Sequence, residues 1–165
     1  MQQIDLTIPS GAIFSEDRAY RYVLWRVWHK NKPMLGQTGL NPSKANEDKN
    51  DPTITRSIVR ACKEGFGGLV MTNLYGLVST DPKALLNNDM AVGDLNDFYI
   101  KMMVSLTSTQ LCMWGSFKPV KFRAPAVYKM LNNPCCLAIN PDGEPKHSLY
   151  VSYSTKIIKY SREER

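Results

Sequence analysis

Residues 51–74 read DPTITRSIVRACKEGFGGLVMTNL. Asp51 is a residue type whose side chain caps free backbone N–H groups, and Pro52 is tolerated at the first helical position, so a helix begins here. Apolar residues then recur at Ile54, Ile58, Val59, Ala61 and Cys62, close to helical spacing, and Gly65 supplies the stop. The chain passes at once into Gly67 to Leu74, with Leu69-Val70-Met71 as the apolar centre of a short strand. A helix with one buried face that feeds directly into a buried strand is half of a β-α-β unit. It points to an α/β domain.

Reading outward from this unit extends the pattern in both directions. Upstream, Tyr20 to Trp28 is a β-branched and aromatic run that favours a strand and is broken by Asn31-Lys32-Pro33. Met34 to Leu40 follows as a short, glycine-interrupted strand bounded by Asn41-Pro42, and the two predict an antiparallel hairpin feeding the core. Downstream, Asp81-Pro82 opens a helical turn through Leu86. A helix from about Asp94 to Leu106 carries the stripe Leu95, Phe98, Met102, Met103 and Leu106. A strand from Gln110 to Trp114, a helix from Val120 to Leu131, a strand from Cys135 to Ile139 and the turn Asn140-Pro141-Asp142-Gly143 complete the run. Alternation of this kind implies parallel pairing with helices on both sheet faces. The expected fold is a three-layer α/β sandwich with a short, mainly parallel central sheet and an N-terminal β-hairpin. One domain spans residues 1–165, with a core over about 12–152 and looser ends.

At 165 residues the chain can bury a core without metal or disulfide staples. Met1 to Ser10 lacks the form of a signal peptide, and no window approaches the ~20 apolar residues that span a bilayer. A cytoplasmic protein without a membrane partner is therefore expected. Cys62, Cys112, Cys135 and Cys136 lack paired zinc-ligand spacing and lie in apolar runs, so they read as reduced core thiols, with neither metal nor cofactor implied. The net charge of +6 favours an anionic partner. Residues 98–141 sharpen that reading, because they hold Lys101, Lys118, Lys121, Arg123 and Lys129 and no acidic residue.

Parallel sheets bind ligands outside the carboxyl ends of their strands. The segments expected there are residues 41–44, 73–76, 115–118 and 140–150. Together they offer the amides of Asn41 and Asn73, the hydroxyls of Ser43, Tyr75 and Tyr150, the imidazole of His147, and the basic groups Lys44, Lys118, Lys121 and Arg123. Gly76 and Gly115 allow close backbone approach to an anion, and Trp114, Phe117 or Tyr75 can present a flat stacking surface. Amides read base edges and cations take phosphates, so the set suits a nucleotide or nucleobase.

The elements Tyr20-Arg21-Tyr22, Gly39-Leu40-Asn41-Pro42-Ser43, Asp51-Pro52-Thr53, Thr72-Asn73-Leu74-Tyr75, Thr80-Asp81-Pro82, Trp114-Gly115 and Lys146-His147-Ser148-Leu149-Tyr150 resemble an uncharacterised domain-of-unknown-function family of bacteria and phages. More distantly, Gly39 to Ser43 is similar to the first motif of the mismatch-specific branch of uracil-DNA glycosylases, and His147-Ser148-Leu149 sits where those enzymes carry a further loop. That resemblance implies a uracil-DNA-glycosylase-like fold, with Asn41 orienting the attacking water and His147 stabilising charge on the departing base.

Two readings of different class follow. In the first, the protein captures a small nucleotide or nucleotide-derived signalling molecule, as a phage-type sequestering protein would, with Lys118, Lys121 and Arg123 holding phosphates. In the second, it is an N-glycosidase-like hydrolase acting on a nucleobase in DNA or in a nucleotide. A plainer third use, nucleic-acid binding by the tail Lys156, Lys159, Arg162 and Arg165, is diluted by Glu163 and Glu164.

Overall fold

The computed structural model describes residues 1–86 and 88–162. Seven strands form one sheet: β1 (Ser10–Phe14), β2 (Arg21–Val27), β3 (Met34–Gly39), β4 (Gly68–Asn73), β5 (Thr109–Cys112), β6 (Pro134–Cys136) and β7 (Ile158–Lys159). Three helices connect and cover them: α1 (Pro52–Lys63), α2 (Asn96–Leu106) and α3 (Val120–Tyr128). The spatial order is β1-β2-β4-β3-β5-β6-β7.

The sheet is mixed rather than mainly parallel. β4, β3, β5 and β6 run parallel to one another, whereas the β1–β2, β2–β4 and β6–β7 pairings are antiparallel. The expected hairpin between Tyr20–Trp28 and Met34–Leu40 is likewise replaced. β4 inserts between those two strands, pairing in parallel with β3 and antiparallel with β2. The physical reason is the α1 crossover, which returns β4 alongside β3 and occupies the edge β2 would have used; β2 then adds outside β4 and takes β1 as its own antiparallel partner.

α1 forms as the sequence predicts. The Asp51 carboxylate accepts from the Ile54 N–H at 2.9 Å, and Gly65 leaves the helix with φ of +85°. α1 packs on one sheet face through Ile54 and Ala61, while Tyr99, Ile100, Met103 and Val104 of α2 and Val120, Ala124 and Val127 of α3 join a single cluster on the other. The apolar stripe foreseen for α2 is therefore rotated, and Leu95, Phe98 and Leu106 lie exposed. Asn96 sets that rotation: it is fully buried, and its carboxamide donates to the Asn73 and Leu74 carbonyls at 3.0 and 3.1 Å.

Three of the cysteines are buried as expected, but Cys62 is exposed on the outer side of α1. The ends are tied down more firmly than the composition suggested. Ile4 joins the main core, and Tyr160 is fully buried, donating its hydroxyl to the Gly143 carbonyl at 3.1 Å. Among the described residues, no helix is long and apolar enough to cross a membrane.

Candidate ligand-binding site

The carboxyl ends of β3, β4, β5 and β6 open into the loops that the sequence singles out, and the loops separate into two neighbourhoods. On the β4 side, the Leu74 and Tyr75 N–H groups donate to the Gly39 and Leu40 carbonyls, and the Ser79 N–H donates to the Pro42 carbonyl. Asn41 belongs here. Its carboxamide N–H groups donate to the Pro42 carbonyl at 3.0 Å and the Ser79 carbonyl at 2.9 Å, which locks the two loops together. Ser43 is half-buried and Lys44 exposed on the same loop.

On the β5–β6 side lies an open cleft of about 610 Å³, lined by Gly115, Ser116, Asn140, Pro141, Asp142, Lys146, His147 and Tyr150. Gly115 has φ of +73°, a left-handed conformation that disfavours any side chain, and its N–H donates to the Pro145 carbonyl at 2.9 Å. The Ser116 hydroxyl donates to Asp142 and accepts from the Asn140 amide, both at 2.8 Å, so one wall is a fixed polar network. Desolvation pushes the Asp142 carboxyl up, but the Ser116 hydroxyl, the Glu144 and Asp142 N–H groups and, last, Lys121 together hold it below its ordinary range. Tyr150 is 83% exposed, with its ring 6.0 Å from that of His147.

His147 stands on a turn clamped to α1. Arg56 donates from Nε to the Ser148 carbonyl at 2.8 Å and from a terminal nitrogen to the Val151 carbonyl. Arg60, only 1% exposed, donates to the Ser152 and Thr155 carbonyls at 2.9 and 2.8 Å. Burial lowers the His147 pKa, and the Asp51 carboxylate partly opposes that shift. Nδ1 accepts the Leu149 N–H at 3.3 Å, so a neutral ring carries its proton on Nε2 and is a donor there.

Several expected site residues lie away from the cleft. Asn73 is 1% exposed with its Nδ2 unpartnered, Tyr75 is buried and donates its hydroxyl to the Pro119 carbonyl at 2.9 Å, and Trp114 is buried and donates to Glu144 at 2.8 Å. None of these three rings or amides lines the cleft. Arg123 leaves the expected phosphate clamp: it pairs with Asp97 and donates to the Leu74 carbonyl at 3.0 Å, with its side chain 11% exposed. Lys118 and Lys121 remain exposed at the start of α3. The C-terminal cations are not a free arm either, since Lys159 lies in β7 and Arg162 binds the buried Glu144 at 2.6 Å; Arg165 lies outside the described residues.

A family model described as Protein of unknown function (DUF1643) matches residues 21–149. The chain belongs to that family. No curated protein and no solved structure matches it. The matched span includes Asn41, the α1 cap and every cleft residue except Tyr150, so the clamped turn and the polar wall lie within the family domain.

Sequence reasoning passed over Arg56 and Arg60 as ordinary helix residues and left Ser116, Asn140, Asp142 and Lys146 without assigned roles. The signal available was the absence of an acidic partner three or four residues from Arg56, whereas Arg60 has Glu64 at that spacing and gave no such sign. A second cleft of about 470 Å³ is lined by Tyr20, Tyr22, Glu16, Asp17 and Asp94 among others. Its three carboxylates repel an anion.

Proposed function

We propose that this protein captures a nucleotide or nucleotide-derived signalling molecule in the cleft beside His147. One observation carries the reading: the cleft joins an exposed aromatic ring, Tyr150, to a neutral imidazole donor, to Lys146 and to a wall of amide and hydroxyl groups around a left-handed glycine. A base stacks on a ring of this kind, typically for ~1–3 kcal/mol, and Lys146 with Lys118 and Lys121 of the neighbouring α3 start supplies charge for a phosphate. Gly115 lets backbone come close to the ligand.

Capture is favoured over hydrolysis because Asn41, whose carboxamide N–H groups brace the β3 and β4 loops, is not among the residues that line the cleft beside His147. An amide is also a poor general base. The glycosylase likeness enters as a finer reading of the fold, supported by the four parallel strands ordered β4-β3-β5-β6, the helices on both faces and Asn41-Pro42-Ser43 following β3. A sequestering role of the phage type fits a cleft that binds without turnover.

The test is to incubate the full chain with a panel of nucleotides and with base-modified single-stranded DNA, recording thermal shift and released products together. Stabilisation by a nucleotide with no product is the expected result. Release of free base that Asn41→Ala abolishes would establish the N-glycosidase instead.

A further inference from the structure

The core beneath α1 is divided, whereas that on the opposite face is one cluster. Leu24, Ala45, Ile54, Leu69, Met71 and Met113 form one part, and Leu35, Ala61, Leu111, Leu137 and Val151 form the other. The residues between them are polar. Gln37 stands in register with Met71 of the first part and Leu111 of the second. Ser57 lies on the buried side of α1 between Ile54 and Ala61, and Ser148 precedes Val151 on the turn that Arg56 clamps to the helix.

Gln37, Ser57 and Ser148 are each no more than 1% exposed, yet Gln37 Oε1 and Nε2, Ser57 Oγ and Ser148 Oγ have no hydrogen-bond partner among the described residues. Asn73 extends the row. It is in register with Gly39, where an added Cβ would fall 2.8 Å from its Oδ1, and its Nδ2 is also unpartnered. Each buried orphan costs about 1–3 kcal/mol, so natural folds rarely keep one, and a row of them marks a place kept polar for something other than stability.

We infer that the cleft beside His147 continues into this polar seam, and that the seam is a specificity pocket for the hydrogen-bonding edge of a nucleobase. The inference rests on the nucleotide reading above and names what selects the ligand. Gln37 offers an N–H and a C=O side by side, the complement of an acceptor and donor placed next to each other on a heterocycle. Ser57 and Ser148 supply hydroxyls that donate or accept as the base requires, and Asn73 adds a donor. Ser148 directly follows His147, so the seam adjoins the cleft. Entry lies beside Gly115, where an added Cβ would meet only His147 Cβ, at 3.9 Å.

The experiment titrates the four common 5′-mononucleotides, with ribose 5-phosphate as the base-free control, into wild type, Gln37→Met and Ser57→Ala by calorimetry, and records melting temperatures alongside. Wild type should prefer at least one nucleotide over ribose 5-phosphate by about tenfold or more, the size of one paired base contact. Gln37→Met, which keeps the side-chain length and removes both polar atoms, should cut that preference to about twofold or less, leave ribose 5-phosphate binding unchanged and melt no lower than wild type. Ser57→Ala should lower the preference in the same direction and carries the test if the Met variant does not fold. A Gln37→Met protein that keeps the preference overturns the inference. So does one that melts several degrees lower, since the amide is then satisfied within the fold, for instance by trapped water. Ribose 5-phosphate binding as tightly as every nucleotide overturns the specificity pocket alone, whereas failure of wild type to bind any nucleotide overturns the nucleotide reading and the inference with it.

Discussion

Arg56→Ala is expected to loosen the turn that presents His147 and Tyr150 without dismantling the sheet. The guanidinium makes two hydrogen bonds to the Ser148 and Val151 carbonyls and lies 4.1 Å from the centroid of the Tyr153 ring. A hydrogen bond to a charged group contributes about 1.5–3 kcal/mol and an exposed cation–π contact about 0.5–1 kcal/mol. Arg56 is only half-buried, so water replaces part of what is lost, and a net destabilisation of roughly 2–3 kcal/mol follows. For a chain of this size that is a fall in Tm of roughly 5–10 °C. Urea unfolding measures the stability, and hydrogen exchange locates the change: amides of residues 147–151 should lose protection while those of β3 and β4 keep theirs. Arg56→Lys retains the charge but not the fork that spans two carbonyls, and should fall between wild type and Ala. A stability loss under about 0.5 kcal/mol with unchanged exchange at the turn would refute the clamp.

Arg123→Ala should destabilise by roughly 2 kcal/mol, a figure discounted for the partial exposure of Asp97, and should lower nucleotide and nucleoside affinities alike; a selective loss of phosphate binding would restore it to a clamp. Gly115→Ala should cost about 1 kcal/mol through its left-handed backbone and weaken nucleotide binding by narrowing the cleft, read by chemical denaturation and calorimetry. Acidification should destabilise the fold through His147: its folded pKa lies below 6.5, so between that value and the depressed one the unfolded chain binds more protons, and stability falls as pH drops through this window. Replacing His147 by Gln should flatten the stability profile there, and an unchanged slope would remove His147 as its source.

The α1–β4 unit was legible because its signals are local. A cap, a proline, a helical repeat and a glycine stop lie within one short stretch, and each acts on its immediate neighbours. Strand order was not, since β2 and β3 are adjacent in the chain and carry the same β-favouring residues whether they pair with each other or admit β4 between them. What decides is the return of β4 after α1, a contact between distant segments. The rotation of α2 shows the same limit at smaller scale. An apolar stripe through Leu95 and Phe98 fits the helical period, but one buried amide, Asn96, bonded to the end of β4, turns a neighbouring stripe inward.

For the site, the carboxyl-end rule picked out four loops, of which those after β5 and β6 line the cleft and those after β3 and β4 do not, and it could not select the side chains. Arg123 and Lys121 look equivalent in an acid-free segment, yet Asp97, one residue upstream of that segment, claims the first and leaves the second exposed. Trp114 and Tyr75 look like stacking surfaces until Glu144 and the Pro119 carbonyl are found to hold their polar ends. Once those groups are subtracted, the charge facing the cleft is modest: Lys146, with Lys118 and Lys121 nearby, against Asp142. An anion is therefore held weakly by charge alone, and any substantial affinity has to come from stacking on Tyr150 and from polar atoms that the fold itself leaves unpaired. On the nucleotide reading proposed above, the burden of recognition then falls on the base, so the unpartnered row from Gln37 to Ser148 bears more on the choice of ligand than the basic segment does.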